Sequence, residues 1–459
     1  MIKPSYTDPL DWIEAADPTR FFLVNKMTYG DLRQNVAVMA GGLVANGVGA
    51  GDRVAAQTEK SPEALLLYLD CLWIGAIYMP LNTGYTATEI AYFVADAEPA
   101  FFVTDAVLAG LSGAAVARAL ADPEAQAAML YTSGTTGKPK GAMIPRRALA
   151  SNGATLAALW HFTADDVLLH ALPVYHVHGL FVATNTVLAA GASMAFLEKF
   201  DVDAVFTAMP ACSVMMGVPT FYTRLLQHPE RLTAAARDMR LFVSGSAPLL
   251  AETHAAFSAT TGHAILERYG MTETQINTSH PFEGPRLPGT VGLPLPGVDV
   301  RITGAVEGIG SIEVRGPNLF TGYWRNPEKT AEDRRDGGWF VTGDLGRFDD
   351  DGHLQIVGRE KDLIISGGLN IYPKEIESAI NALPGILESA VIGVPHADFG
   401  EAVVAIVVGD HSDILAALEG KLARFKWPKS IVFVPDLPRN AMGKVQKNLL
   451  REQFSLAFD

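Results

Sequence analysis

The chain has 459 residues, too many for one ordinary hydrophobic core, and its 49% apolar and 19% charged residues imply a globular protein of two or three domains. Its 36 basic and 50 acidic side chains give a net charge of −14, which argues against nucleic acid or an anionic membrane as a partner but permits a local basic pocket for a small anion. Two cysteines, Cys71 and Cys212, can build neither a disulfide framework nor a Cys-rich zinc site and suit a reducing, cytoplasmic compartment.

The opening Met1-Ile-Lys-Pro-Ser-Tyr lacks the apolar run of a secretory signal. Residues 53–56 then read as a strand, 62–73 as a helix and 76–79 as a second strand. Residues 109–128 are Ala-rich and read as a surface helix or loop. A helix is predicted over 147–160, then buried strands over 167–172, 213–218, 241–244 and 264–267, with another helix at 251–260. The long apolar stretch 179–197 is interrupted by Thr184, Asn185, Thr186, Gly191 and Ser193, which favours a buried helix followed by a buried strand over a membrane span. Alternating strands and helices of this kind make an α/β fold with mainly parallel sheets, whose ligands sit beyond the carboxyl ends of the strands. Ser133, Ser244 and Arg268 all fall at or just after such an end.

From Asp299 the texture changes to short strands, at 300–302, 311–314, 339–341 and 354–357, between Gly- and Asp-rich turns, as in a small β-rich subdomain. Beyond Glu360 come a helix at 373–380, strands at 389–394 and 402–408, a helix at 414–422 and a strand at 431–434. These make a small α+β unit, so the expected division is a large N-terminal domain, 1–359, and a C-terminal domain, 360–459.

The string Tyr131-Thr-Ser-Gly-Thr-Thr-Gly-Lys-Pro-Lys-Gly141 follows an apolar run. Its glycines let backbone amides approach an anion, the hydroxyls of Thr132, Ser133, Thr135 and Thr136 add donors, and Lys138 and Lys140 add charge. A Walker loop does not fit. Only two residues separate Gly134 from Gly137 where four are required, and Pro139 stands where a hydroxyl should meet Mg²⁺. The string therefore reads as a phosphate-binding hairpin or loop of another kind.

It resembles the phosphate loop of the adenylate-forming superfamily, which unites acyl-CoA synthetases, peptide-synthetase adenylation domains and luciferases. Further motifs of that family occur in order: Leu172-Pro-Val-Tyr-His-Val-His-Gly179, Tyr269-Gly-Met-Thr-Glu273, Thr342-Gly-Asp344, Gly358-Arg-Glu-Lys-Asp362 and Pro438-Arg-Asn-Ala-Met-Gly-Lys444. The resemblance covers essentially the whole chain. It implies attack of a carboxylate on the α-phosphate of ATP, giving an acyl-adenylate and pyrophosphate. The small C-terminal domain then rotates and a thiol, usually of coenzyme A, displaces AMP.

By the same resemblance, Lys444 meets the carboxylate and α-phosphate in the first step, Glu273 holds Mg²⁺, Thr272 bonds the α-phosphate and Tyr269 stacks on adenine. Thr132, Ser133, Gly134, Thr135, Thr136, Gly137 and Lys138 grip the phosphates, with Ser246 and Ala247 also at the nucleotide. Asp344 and Arg359 face the ribose, and Lys361 is the hinge. His176 lies between the acid and the thiol, whereas His178 is expected to be structural. Two nearby histidines without further ligands do not make a zinc site. Ser366, Gly367 and Gly368 line the coenzyme A path.

The acid is read from Glu267-Arg268, directly before Tyr269. A buried arginine needs an anion, and its planar fork suits a carboxylate. Arg268, with Gly245 and His176 at the substrate, would take the second carboxylate of a short dicarboxylic acid, unless it pairs with Glu267. The wording of 239–249, 267–274 and 361–377 is most similar to malonyl-CoA synthetases. Ligation of methylmalonate, a short fatty acid or an aryl acid, or loading of a carrier protein, are the alternatives. The expected partners are thus a small carboxylic acid, ATP and CoA, in a monomer or homodimer. The chain departs from the family between Thr104 and Met129, where its connection is short, which bears on packing more than on catalysis.

Overall fold

The computed structural model describes residues 8–120, 122–132, 139–396, 398–411, 413–439 and 444–455. By its internal contacts the chain forms two compact units, one reaching to Val300 with Val314–Phe340 added, the other made of Arg301–Glu313 and Val341–Asp459.

In the first unit, the helix Pro62–Ile74 shows how local signals set the elements. Ser61 caps its start, Pro62 occupies the first turn, and Gly75 ends it at φ +77°. The residues from Ala64 to Ile74 are all buried, because the helix is apolar on every face. One of them, Asp70, is fully buried, and both its carboxylate oxygens lack a partner among the described residues. Burial pushes its pKa well above the usual carboxylate range.

The flanking strands Arg53–Gln57 and Ile77–Pro80 pair in parallel, as do Arg53–Gln57 with Phe101–Thr104 and Ile77–Pro80 with Gln126–Thr132. Lys140–Pro145 and Gly322–Tyr323 complete this six-stranded sheet in antiparallel fashion. The Ala-rich stretch after the helix Asp105–Ala109 is a loop, as one of its two readings has it, but a docked one. Gly113 N and Val116 N donate to the carbonyls of Val38 (3.2 Å) and Ala37 (3.1 Å), and Ala119 N donates to that of Trp73 (2.8 Å). Arg118 is paired with Asp11 at 2.6 Å and Glu14 at 2.9 Å. Small side chains permit that close approach.

The second sheet of this unit has nine strands. Its centre is parallel: Ser193–Phe196, Val167–His170, Val214–Gly217, Leu241–Ser244 and the start of Leu266–Met271. One core against it gathers Met215, Tyr222, Phe242, Phe257 and Ile265. The apolar stretch predicted as helix then strand is a π-turn, His178–Ala183, running into the helix Thr184–Ala190 and the strand Ser193–Phe196. No helix among the described residues is long and apolar enough to cross a membrane.

The second unit holds much of the antiparallel β-rich segment predicted after Asp299, including Trp339–Phe348 paired with Leu354–Arg359. It also holds the α+β segment. There the strands Ile386–His396 and Gly400–Gly409 form a long antiparallel pair, with Ser430–Phe433 parallel to the latter. Val391, Val403, Ala405 and Val407 face one core with Ile376 and Ile380, while Ile392, Val394, Val404 and Ile406 face another with Leu437 and Leu450. With both faces covered, these strands read as unbroken apolar runs in place of an alternation.

Candidate active site

All strands of a parallel sheet end on one side, so the sheet itself gathers His170, Gly217 and Ser244, the last residues of their strands. The strand Leu266–Met271 pairs in parallel only through Glu267; from Arg268 it pairs antiparallel with Gln275–Ser279. Arg268 therefore stands just past the parallel edge. Its side chain is 7% exposed and lies directly over Gly245, where an added Cβ would come within 2.2 Å of Cζ. A side chain at 245 would push the guanidinium out of this position. Among the described residues, Nε and Nη2 of Arg268 have no hydrogen-bond partner and no carboxylate is paired with it. Adjacent strand residues point to opposite faces, which takes Glu267 away from it. Burial pulls the arginine's pKa down to about 10, so it stays charged at neutral pH.

His178 is equally enclosed, at 2% exposed. Its Nδ1 lies 3.2 Å from Ser246 Oγ, while its Nε2 and the buried Oγ of Ser244 have no partner among the described residues. Ser246 is held at φ +69°, a left-handed conformation that a non-glycine residue adopts only when its surroundings impose it. Burial, then the charge of Arg268, then His176 and His170 hold the His178 pKa well below the ordinary histidine range, so the ring is neutral. His176 is half-buried, and its Nδ1 accepts from His178 N at 3.3 Å. Gly245 is buried; Ala247 is exposed. The result is a guanidinium, an imidazole nitrogen and a hydroxyl, all buried and unsatisfied, at the carboxyl edge of a sheet. Buried polar groups are normally paired, so this constellation is shaped for an anion.

The phosphate string forms an antiparallel hairpin, Gln126–Thr132 with Lys140–Pro145, with Thr132 opposite Lys140. A Walker loop runs from strand to helix, so the strand–loop–strand connection agrees with the spacing. The stem is fixed by Tyr131 Oη donating to Asp96 at 2.5 Å and Tyr92 Oη donating to the Pro139 carbonyl at 2.9 Å. Ser133, Gly134, Thr135, Thr136, Gly137 and Lys138 lie outside the described residues.

Thr272 and Glu273 occupy the turn between Leu266–Met271 and Gln275–Ser279, and Tyr269 is half-buried opposite Thr278. Gln275 Nε2 donates to the Thr272 carbonyl at 3.2 Å, and Thr274 N donates to that of Met271 at 3.2 Å. Glu273 is 5% exposed, and its Oε1 accepts from Tyr323 Oη at 3.1 Å. Burial and the charges of Glu273 and Asp333 hold the Tyr323 pKa far above the usual tyrosine value, so its hydroxyl remains a donor. Among the described residues no cluster of three or more His, Cys, Asp or Glu could hold a metal. A single buried carboxylate of this kind suits Mg²⁺, which takes one or two carboxylates and completes its shell with phosphate and water oxygens.

In the second unit Asp344 is buried and paired with Arg359, Nε to Oδ1 at 2.7 Å, from facing positions of two strands. Asp344 N donates to Thr342 Oγ at 3.1 Å, and that hydroxyl donates to the Ile312 carbonyl at 2.9 Å. Lys361 is exposed in the short turn Glu360–Asp362. Asp362 is paired with Arg451 at 2.7 Å. Ser366 is buried at the end of a strand, and Gly367 and Gly368, at φ +58° and +78°, form the two-residue turn that follows. Lys444 is exposed, next to the bridge between Arg439 and Val445.

Two of these groups escape a reading of the sequence. His178 was expected to be structural, yet it stands with Arg268 and Ser246. Tyr323 carries no motif signal; only the folding of its strand brings it to Glu273.

Residues 12–120 and 112–324 match the model of the AMP-binding enzyme family, and 375–444 that of the AMP-binding enzyme C-terminal domain. The chain is similar to malonate–CoA ligase of Arabidopsis thaliana, 34% identical over 476 residues, covering 88% of this chain and 78% of the relative. It is similar to indoleacetate–CoA ligase of Aromatoleum aromaticum, 35% identical over 479 residues and covering 93% of each. It spans 62% of a probable CoA ligase of Humulus lupulus, with which it shares 39% identity. Its fold matches the crystal structure of ATP-bound MatB from Rhodopseudomonas palustris, with a TM-score of 0.93 and 50% identity over 99% of this chain and 100% of that one. The chain belongs to the AMP-binding enzyme family and is an AMP-forming acid–thiol ligase.

Proposed function

We propose that this enzyme joins a short dicarboxylic acid, malonate first, to coenzyme A through an acyl-adenylate, using ATP with Mg²⁺ and releasing pyrophosphate and AMP. The observation that carries the choice of acid is Arg268, a buried guanidinium over Gly245 with two nitrogens unpaired and a neutral His178 near enough to feel its charge. A neutral acyl chain would leave that charge uncompensated at a cost of several kcal/mol. A carboxylate at the far end of the acid would satisfy it. Methylmalonate meets the same requirement; a fatty or aryl acid does not.

In the first step one carboxylate oxygen attacks the α-phosphorus, and the bond to pyrophosphate breaks. Charge accumulates on the phosphoryl oxygens, so the protein's part is positioning and electrostatic stabilisation. Lys444 and Thr272 would meet the α-phosphate, residues 132–138 the outer phosphates, and Ser246 and Ala247 the nucleotide. Tyr269 would stack on adenine, and the Asp344–Arg359 pair would meet the ribose. Glu273, held by Tyr323, would carry the Mg²⁺ that neutralises phosphate charge. In the second step the thiol sulfur attacks the acyl carbon and AMP leaves as the C–O bond breaks. His176 would lie at that passage, and Ser366, Gly367 and Gly368 along the thiol's path. Residues 360–459 would turn about Lys361 between the steps, since hinges absorb rotation at a few loop positions. The two buried, free cysteines suit the cytoplasm.

The test is thioester formation from ATP, Mg²⁺ and CoA with malonate, methylmalonate, acetate, octanoate and an aryl acetate. Malonate and methylmalonate are expected to lead. Preference for octanoate or the aryl acid would overturn the reading.

A further inference from the structure

We infer that Lys60 and His170 are positioning residues for the acid site: Lys60 fixes the ring of His170, whose Nε2–H holds the Gly179 carbonyl and with it the π-turn that presents His178.

His170 ends its strand at 1% exposed. Its Nε2 lies 2.9 Å from the carbonyl oxygen of Gly179. A carbonyl only accepts, so Nε2 must carry the proton. Burial, then the charge of Lys60, lower the His170 pKa to about 3, so the ring is neutral and Nδ1 is a bare acceptor. Lys60 Nζ sits 2.9 Å from that Nδ1, 2.8 Å from the His170 carbonyl and 2.5 Å from the Leu197 carbonyl. Three acceptors thus surround Nζ, which lies 4.2 Å from the centroid of the Phe196 ring. No carboxylate among the described residues is paired with it. Burial holds the Lys60 pKa well below the ordinary lysine range, but charged or neutral its nitrogen has a proton to donate to Nδ1, and this geometry selects one tautomer of His170.

The consequence reaches the site through the π-turn. π-turns leave the regular ladder of hydrogen bonds and recur at functional positions. Here the Gly179 carbonyl is held by His170 Nε2 and by Thr184 Oγ at 3.1 Å. The turn is also pressed against the preceding loop: a Cβ on Gly179 would lie 2.1 Å from the Pro173 carbonyl. His178 is the first residue of the turn. A slip at Gly179 therefore displaces the imidazole that faces Ser246 and Arg268. The inference rests on the reading that the acid's far end lies by Arg268 and His178.

The alternative is that Lys60 merely staples two strand ends, and paired substitutions separate the two. By the geometry of the ring, His170→Gln keeps a donor for Gly179 at the Nε2 position, whereas His170→Asn keeps an acceptor for Lys60 and loses that donor. In malonate-dependent ATP–pyrophosphate exchange, His170→Gln should keep the malonate KM within about threefold, while His170→Asn and Lys60→Met raise it about tenfold, the ATP KM staying unchanged in all three. Equal effects of Gln and Asn, or a parallel rise in the ATP KM, would overturn the inference. Should a variant fail to fold, the ¹⁵N spectrum of wild-type His170 decides: the Nε2–H tautomer is expected, and Nδ1–H contradicts it. If the preferred acid is another one, the KM shift should follow that acid. No shift for the preferred acid defeats the positioning role and leaves the choice of acid standing.

Discussion

Replacing Arg268 by Met should make the enzyme worse at malonate and the free protein more stable. The side chain is buried with two nitrogens unpaired, so in the absence of an anion it is a net cost to the fold. Each buried unsatisfied donor costs about 1–3 kcal/mol. Met fills much of the same volume without that penalty, and a gain of about 2 kcal/mol, or several degrees in Tm, is expected. With malonate bound the sign reverses. Removing one partner of a buried ion pair costs about 3–5 kcal/mol, which is about 150- to 5,000-fold in kcat/KM. Propionate, with no second carboxylate, should be turned over by the variant at least as well as by the wild type. The assay is pyrophosphate exchange with both acids beside thermal unfolding with and without malonate, which should raise the Tm of the wild type alone. Equal losses on malonate and propionate, together with a fall in Tm, would show that Arg268 supports the fold and not the acid.

Other expectations follow from the same geometry. Tyr323→Phe removes the hydroxyl on Glu273 Oε1 and should raise the Mg²⁺ concentration for half-maximal activity about five- to tenfold, with Mn²⁺ binding measured directly by EPR weakened in parallel. Lys444→Ala should abolish acid-dependent pyrophosphate exchange while thioester formation from supplied malonyl-adenylate persists; loss of both would reject its assignment to the first step. Asp70, whose folded pKa lies above its unfolded value, holds a proton that the unfolded chain releases, so its contribution falls as pH rises above the unfolded carboxyl pKa. The stability gained by Asp70→Asn should therefore grow with pH, by at most about 1.4 kcal/mol per unit, and level off above the folded pKa. A pH-independent difference in unfolding free energy would contradict this.

The α/β character, the strands that flank the Gly-rich string and the burial of Arg268 are legible in the sequence because each depends on local order. Ser61, Pro62 and Gly75 mark a helix within one short segment, and a failed Walker spacing is visible in eleven consecutive residues. Gly245, next to the recognised strand end, is explained only by a side chain more than twenty positions away, which no local pattern records. His178 reads as structural because the motif gives the site role to His176, two residues before it. Its place beside Ser246 comes from a π-turn that helical periodicity does not predict, since the turn departs from that period. The long pair Ile386–His396 and Gly400–Gly409 reads as strands in the sequence but as shorter ones, because burial on both faces erases the alternation that marks strand ends.

The most direct test of the central claim compares malonate with malonamate, its monoamide, in the wild-type enzyme. The two acids match in size and in the reacting carboxylate and differ at the far end, where a neutral amide replaces the anionic carboxylate and turns one of its acceptors into a donor. If Arg268 receives a second carboxylate, kcat/KM for malonate exceeds that for malonamate at least about a hundredfold, as expected for an ion pair in a buried site. Equal kcat/KM for the two would contradict the account.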